Sequence, residues 1–492
     1  MKLFSIFLFL ISLFSGNIQF IIFFAYLLIV CYKSYEKTSL IIAYFLTFLV
    51  VFPVAFTGET IWDRNLIYIF SIFFVLFDSY KNKPFFIKAK SWQIKVLVVL
   101  VVAALIIYLP ILIETYFNLE IFNGPEKFFI SNHRASHMLG FALPVLLGPL
   151  LIISLFRTFR EGMSFEDIYS TLRHLTWIVI ILTLIRYFFQ IEIIPQSYIS
   201  SIRNDGFRLS GFNHPDSISW GKMIMIPLAF SLSYVMAKQK YHNDIYLLFF
   251  ILSAIFLTYS RILIISSTII LIVVALYNLR FSLIIKGSFF IFVLFATLYY
   301  SGSIGKLMSR NESSFSASGI NLSGRDLIYA TGIPIVVASP LVGLRPGGYV
   351  SMLQKGYTFS TSEGYTGLMT VQSAHSWYLV MALEWGLPFL FLIICIMLHC
   401  IYLLHLTIRL TRKYSSFIEF SSIRIWSVAL MALICGFLIL GITDYVPYPF
   451  VFFLIGLTWS LNLMVTKTIS LHSVSIKSIP SCQNLHENTI TS

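Results

Sequence analysis

The chain has 492 residues, of which 58% are hydrophobic and 11% charged, with a formal net charge of +13 at pH 7. Soluble domains carry about 25% charged residues, so this composition excludes a soluble globular protein and points to an integral membrane protein. The positive excess does not indicate nucleic acid, because no basic cluster interleaved with aromatics occurs; Lys and Arg held in cytoplasmic loops account for it.

The apolar run from Met1 to Tyr32 exceeds one crossing, for which about 20 apolar residues suffice. Gly16-Asn17 supplies a turn, so a hairpin of two short helices is expected there. A cleaved signal peptide over Met1–Ser15 is the alternative, disfavoured because no convincing cleavage site follows. Further spans are expected near 39–57, 65–80, 94–113, 137–156, 174–194, 217–237, 244–259, 262–278, 283–300, 387–408, 424–442 and 448–466. Alternation then collects the loops with Lys33 and Lys37, with Lys81, Lys83, Lys88, Lys90 and Lys95, with Arg157, Arg160 and Arg173, with Lys238 and Lys240, with Arg280 and Lys286, and with Arg409, Arg412, Lys413 and Arg424 on one side, the cytoplasm. The expected fold class is an all-α polytopic membrane protein of about 12–14 transmembrane helices. It divides into an N-terminal bundle over 1–300, a large outer loop over 301–386, C-terminal helices over 387–466 and a disordered cytoplasmic tail over 467–492, rich in Ser and Thr.

Cys31, Cys395, Cys400, Cys435 and Cys482 form no Cys-x-x-C pair, and none lies in the large polar loop, so neither a disulfide nor a zinc or redox motif is expected. No Walker glycine loop, Gly-x-Ser-x-Gly elbow, His-Glu-x-x-His or Asp-x-Asp cluster occurs.

Three segments on the outer side carry candidate chemistry. Arg208 stands in Phe207-Arg208-Leu209-Ser210-Gly211-Phe212-Asn213-His214-Pro215 just before a span. Arg261 follows Thr258-Tyr259-Ser260 at the mouth of two apolar helices. It either snorkels to the headgroups or grips an anion, since a guanidinium holds phosphate oxygens in bidentate fashion. The third is the loop of 301–374, of a length that usually signals function or disorder. Within it Asp326–Val337 has the pattern of a short helix lying on the membrane, with Arg325 at its head, either as a ligand cation or paired with loop acids. Arg345 beside Pro346-Gly347-Gly348 reads as turn chemistry. His375 lies where the loop meets a short helical stretch, 375–384; its imidazole can take a proton from a sugar hydroxyl near pH 7 or simply satisfy backbone groups. Glu384 is an acid in an apolar segment and needs a polar partner.

Taken in order, these pieces resemble the bacterial O-antigen ligase and O-antigen polymerase superfamily. Arg208-Leu-Ser-Gly-Phe-Asn-His-Pro resembles the family's loop before a helix, and Ser260-Arg261 its Ser-Arg at an outer helix end. Gly324-Arg325-Asp326-Leu327-Ile328-Tyr329 with Ser339-Pro340-Leu341-Val342-Gly343 resembles the signature of the large periplasmic loop. Ala374-His375-Ser376-Trp377-Tyr378-Leu379 with Glu384-Trp385-Gly386 resembles its closing motif, with Ser376 where the family usually has Asn and Leu344 where a second glycine is common.

The resemblance implies a membrane glycosyltransferase fold of the GT-C-like type and a glycan donor on undecaprenyl diphosphate at the periplasmic face of the bacterial inner membrane. It implies no metal or other cofactor, because the donor is already activated. By position, Arg208 and Arg261 would hold the diphosphate, His375 would act as general base on the acceptor, and Arg325 would assist; Glu384, which by its own chemistry could brace the loop or the arginines, is grouped with the three arginines as substrate-binding. A polymerase acting on lipid-linked repeat units, with a chain-length regulator as a possible partner, is the favoured activity; a ligase acting on lipid A core or a protein is the alternative. A polysaccharide flippase is the non-enzymatic alternative, but the chain shows no two similar halves of broken helices, and its long loop is asymmetric.

Overall fold

The computed structural model describes residues 91–117, 145–153, 155, 165–189, 209, 217–237, 244–278, 315–316, 319–320, 325–344, 358–360, 366–368, 376–415, 418–444, 446 and 448–477. Among these residues the helices, in chain order, are α1 Ser91–Phe117, α2 Phe165–Phe189, α3 Ser217–Met236, α4 Ile245–Leu257, α5 Arg261–Asn278, α6 Arg325–Ala338, α7 Trp377–Trp385, α8 Leu387–Lys413, α9 Ile418–Thr443 and α10 Tyr448–Lys477. Residues 145–153 are also helical. The strands among the described residues form two antiparallel hairpins, β1 Phe315–Ser316 with β2 Gly319–Ile320, and β3 Thr358–Ser360 with β4 Thr366–Leu368. Among the described residues five helices are long and apolar enough to cross a membrane, within α2, α5, α8, α9 and α10. The protein is an all-α polytopic membrane protein, with the described strands confined to these short hairpins.

Helix polarity sorts the bundle into two ends. At the basic end, the starts of α2 and α4 meet: Tyr169 donates to Asp244 Oδ2 at 2.5 Å and Arg173 Nε lies 3.4 Å from Oδ1. The Tyr169 ring stacks on Tyr234 of α3, which accepts from Trp426 Nε1 of α9 at 3.1 Å, so one polar thread runs through four helices. At the same end Tyr277 of α5 and His405 of α8 share a 2.7 Å hydrogen bond, and the Arg412 guanidinium donates to the Tyr277 carbonyl. That guanidinium satisfies a carbonyl of the last helical turn, which has no partner within its own helix.

Several helices run past their expected limits because charge ends a hydrophobic pattern without ending a helix. Arg173, expected in a loop, lies inside α2, where Asp244 is its partner. The expected span 174–194 is accordingly realised as 165–189. α10 continues to Lys477, so residues 467–477, expected without structure, are helical; Thr468 and Ser470 bond back to carbonyls of their own helix. The expected crossings before residue 91, and that near 283–300, lie outside the described residues.

At the opposite end, α6 and α7 form the expected short helices of the polar loop. α6 shows α7 and α9 one face: Tyr329 donates to the Ile442 carbonyl at 2.7 Å, Gly332 lies against Leu379, and Val336 is buried. Its other face carries Ile333 and Val337, and Leu341 follows one turn on, all exposed. Leu387 N–H donates to the Pro340 carbonyl at 2.8 Å, which brings this apolar stripe to the head of α8, where Leu387 and Phe391 are exposed in turn.

Replacing Tyr169 with Phe removes a hydrogen bond to a buried carboxylate and is expected to cost about 1.5–3 kcal/mol. Unfolding titration in detergent micelles measures it; an unchanged midpoint would separate the Tyr169–Asp244 thread from the stability of the bundle.

Candidate functional site

The turn between α4 and α5 is strained. Thr258 donates to the Ile255 carbonyl at 2.6 Å and its Oγ1 accepts from Ser260 N–H at 3.3 Å. Between them Tyr259 adopts φ 51, the left-handed region that a bulky residue rarely occupies. Arg261 then opens α5 and is exposed. Its guanidinium thus stands beside a helix N-terminus, where unsatisfied N–H groups add to the positive potential.

Arg208 lies outside the described residues, but the next residue is fixed. Leu209 is buried and its N–H donates to the Leu257 carbonyl at 2.8 Å. The loop that carries Arg208 is therefore joined to the last residue of α4, just ahead of the turn that leads to Arg261. α3, which follows that loop, packs on α5 at the same level: a side chain at Gly221 would collide with Leu263.

His375 also lies outside the described residues, and again its successor is fixed. Ser376, buried and extended (φ −146, ψ 121), is the N-cap of α7; its Oγ accepts from Leu379 N–H at 3.4 Å and donates to the Gly441 carbonyl at 3.4 Å. Trp377 N–H donates to the Asp444 carbonyl at 3.0 Å. Two successive residues are thereby tied to the last turn of α9. Ser376, which departs from the family's usual Asn, still does the capping, since both types accept backbone N–H groups well at that position.

Asp444 leads to a residue that no sequence motif singles out. Lys222 Nζ lies 3.0 Å from Asp444 Oδ1, with both side chains under 10% exposed. Lys222 is next to Gly221, so the ion pair links the α3–α5 contact to the head of α7. Pro227, further along α3, lacks an N–H and leaves the Met223 carbonyl without its helical partner. A lone Lys inside an apolar span is visible in the sequence, and so is an Asp between two spans; nothing in the sequence pairs them.

The motifs Ser339–Gly343 and Glu384–Gly386 meet as a joint. Leu344 N–H donates to the Leu383 carbonyl at 2.5 Å, and Gly343 N–H to the Ser339 carbonyl at 3.0 Å. Gly343 (φ 61) and Gly386 (φ 82) are both left-handed, and a Cβ on either would strike backbone of the other segment, Leu383 O and Leu341 O respectively. Glu384, in the middle of this joint, is buried. Arg325 opens α6 one turn before Tyr329, whose hydroxyl reaches α9. The elements bearing all five candidates thus converge on one end of the bundle, opposite the basic end.

Residues 246–394 match the family model described as O-antigen ligase. The match supports a likeness of this stretch to the O-antigen ligase and polymerase superfamily. The match opens in α4 and closes in α8, and it contains Arg261, Arg325, His375 and Glu384; Arg208, Lys222 and Asp444 fall outside it. None of the curated proteins matches the chain. Among the described residues no cluster of three His, Cys, Asp or Glu could hold a metal ion.

Substituting Ala at Gly343 or Gly386 forces a left-handed Ala into backbone contact and is expected to cost about 1–3 kcal/mol each. Thermal unfolding in detergent would show this as a lowered midpoint; wild-type melting of both variants would dissolve the joint.

Proposed function

We infer that the protein is a glycosyltransferase that uses a polyprenyl-diphosphate-linked glycan as donor, at the outer face of the bacterial cytoplasmic membrane. The carrying observation is the convergence of the candidate elements on one end of the bundle. The peptide after Arg208, the turn before Arg261 and the residue after His375 are connected through Leu257, the α3–α5 contact and the Lys222–Asp444 pair.

The chemistry follows from the residue types. The acceptor hydroxyl gives its proton to the His375 imidazole and attacks the anomeric carbon of the donor. The bond from that carbon to the diphosphate oxygen breaks, and the polyprenyl diphosphate leaves with an added negative charge. Arg208 and Arg261 stabilise this charge, where a planar fork of N–H donors fits phosphate oxygens. On this reading the exposed stripe Ile333–Val337–Leu341, along α6 and one turn past it, faces lipid, and Arg325 at the head of α6 assists at the donor diphosphate. Glu384 braces the joint behind His375. No nucleotide enters, since the donor carries its own leaving group.

The favoured form of this activity is polymerisation of lipid-linked repeat units, on the length of the chain and the number of spans its sequence carries. Transfer to lipid A core or to a protein is the second reading, and the family match is compatible with both. A deletion strain separates them: single repeat units on lipid A core mark a polymerase, and long chains retained on the carrier lipid mark a ligase.

His375→Ala is expected to abolish chain growth or transfer while the protein still inserts, and normal long-chain polysaccharide in that strain would remove His375 as the base. Arg261→Ala is expected to raise the donor KM and lower kcat, with Arg261→Lys restoring little because it lacks the fork. Full restoration by Lys, measured with purified lipid-linked donor, would reduce Arg261 to a general positive charge.

A further inference from the structure

Asp444 acts through both of its halves. Its backbone carbonyl accepts from Trp377 N–H at 3.0 Å, and its carboxylate meets Lys222 Nζ at 3.0 Å. One turn earlier, the Gly441 carbonyl accepts from Ser376 Oγ and the Ile442 carbonyl accepts from Tyr329 of α6. The last turn of α9 is therefore the seat on which the heads of both loop helices rest, and Lys222 is its brace from α3. A buried ion pair is a costly brace: apolar side chains of similar volume often stabilise a fold as well or better. Stability alone gives no reason for charge here, whereas a directional contact fixes one orientation of the turn.

We propose that Lys222 and Asp444 are positioning residues of the transfer reaction. Their pair fixes the terminal turn of α9 so that Ser376 and Trp377, and with them His375, are held in register with Arg261 at the head of α5. Lys222 reaches Arg261 through its neighbour: Gly221 packs on Leu263, in the same first turn of α5 as Arg261. Neither residue of the pair touches substrate. The proposal rests on the transferase reading above, since it assigns the pair a role in orienting that reading's base.

The test compares the full-length protein in nanodiscs with the double variant Lys222→Met, Asp444→Leu, which replaces the pair by apolar side chains. A displacement on the order of 1 Å of a catalytic group can cost about 100-fold in rate. The expected result is a kcat lower by about 10- to 100-fold, a donor KM close to that of wild type, an unchanged melting temperature, and faster amide exchange over residues 376–379. Lys222→Arg, which keeps the pair, is expected to retain most of the rate. A double variant with wild-type kcat overturns the proposal. So does a KM that rises as kcat falls, because Lys222 would then be a donor-binding cation. If the double variant does not assemble, Asp444→Asn, nearly isosteric and with its backbone carbonyl intact, is read in its place against the same outcomes. A wild-type protein without transfer activity overturns the proposed function instead; amide exchange over 376–379 then decides for the pair, and unchanged exchange in the variant overturns it.

Discussion

A nine-residue helix buried on almost every side must have both of its ends satisfied by protein, and α7 meets that condition through other segments of the chain. Away from water each unpaired backbone group is costly, and a helix leaves four N–H and four C=O groups open. At the head of α7, Trp377 N–H goes to Asp444 and Leu379 N–H to Ser376 Oγ. At its tail the Leu383 carbonyl takes Leu344 N–H, and the Ala382 carbonyl takes Gly386 N–H. The head of α7 is thus seated on the end of α9 and its tail on the turn after α6. The two left-handed glycines make this possible, because backbone rather than side chain forms the tail contact.

The cations at this end are kept in two different electrostatic states. Lys222 is buried and faces Asp444, so its charge is matched locally and its effect is to hold structure. Arg261 is exposed at a helix N-terminus, so its charge projects outward and adds to the helix dipole. In the proposed transfer the second kind would serve the anionic leaving group and the first kind would supply rigidity. The left-handed Tyr259 fits the same division. Backbone strain on the order of 1–3 kcal/mol persists only where surrounding structure fixes it, and here it aims the first residue of α5 out of the bundle.

Among the described residues the crossings within α2, α5, α8, α9 and α10 are legible in the sequence, because long apolar runs between basic loops need no tertiary information. The short helices α6 and α7 are also readable, from an amphipathic stripe and from a polar segment turning apolar at Trp377. The order of motifs around Arg208, Arg261, Arg325 and His375 points to one end of the bundle through charge alternation alone. Helix ends are readable for α3 and α5, which match expectation within a residue, but not for α2, where Arg173 sits inside the helix and Asp244, far along the chain, receives it. Lys222 and Asp444 stay hidden for the same reason. A pair so distant in sequence leaves no periodic mark, and each member alone looks like a charge near a helix end.

Gly343 and Gly386 show how motif and mechanism can be confused. In the sequence their segments belong to a signature surrounding chemistry, with the buried Glu384 as its brace. In the structure the glycines serve a mechanical purpose. They let Leu341–Leu344 and Leu383–Leu387 approach backbone to backbone, which welds the turn after α6 to the α7–α8 junction. The weld anchors the tail of α7, as the end of α9 anchors its head.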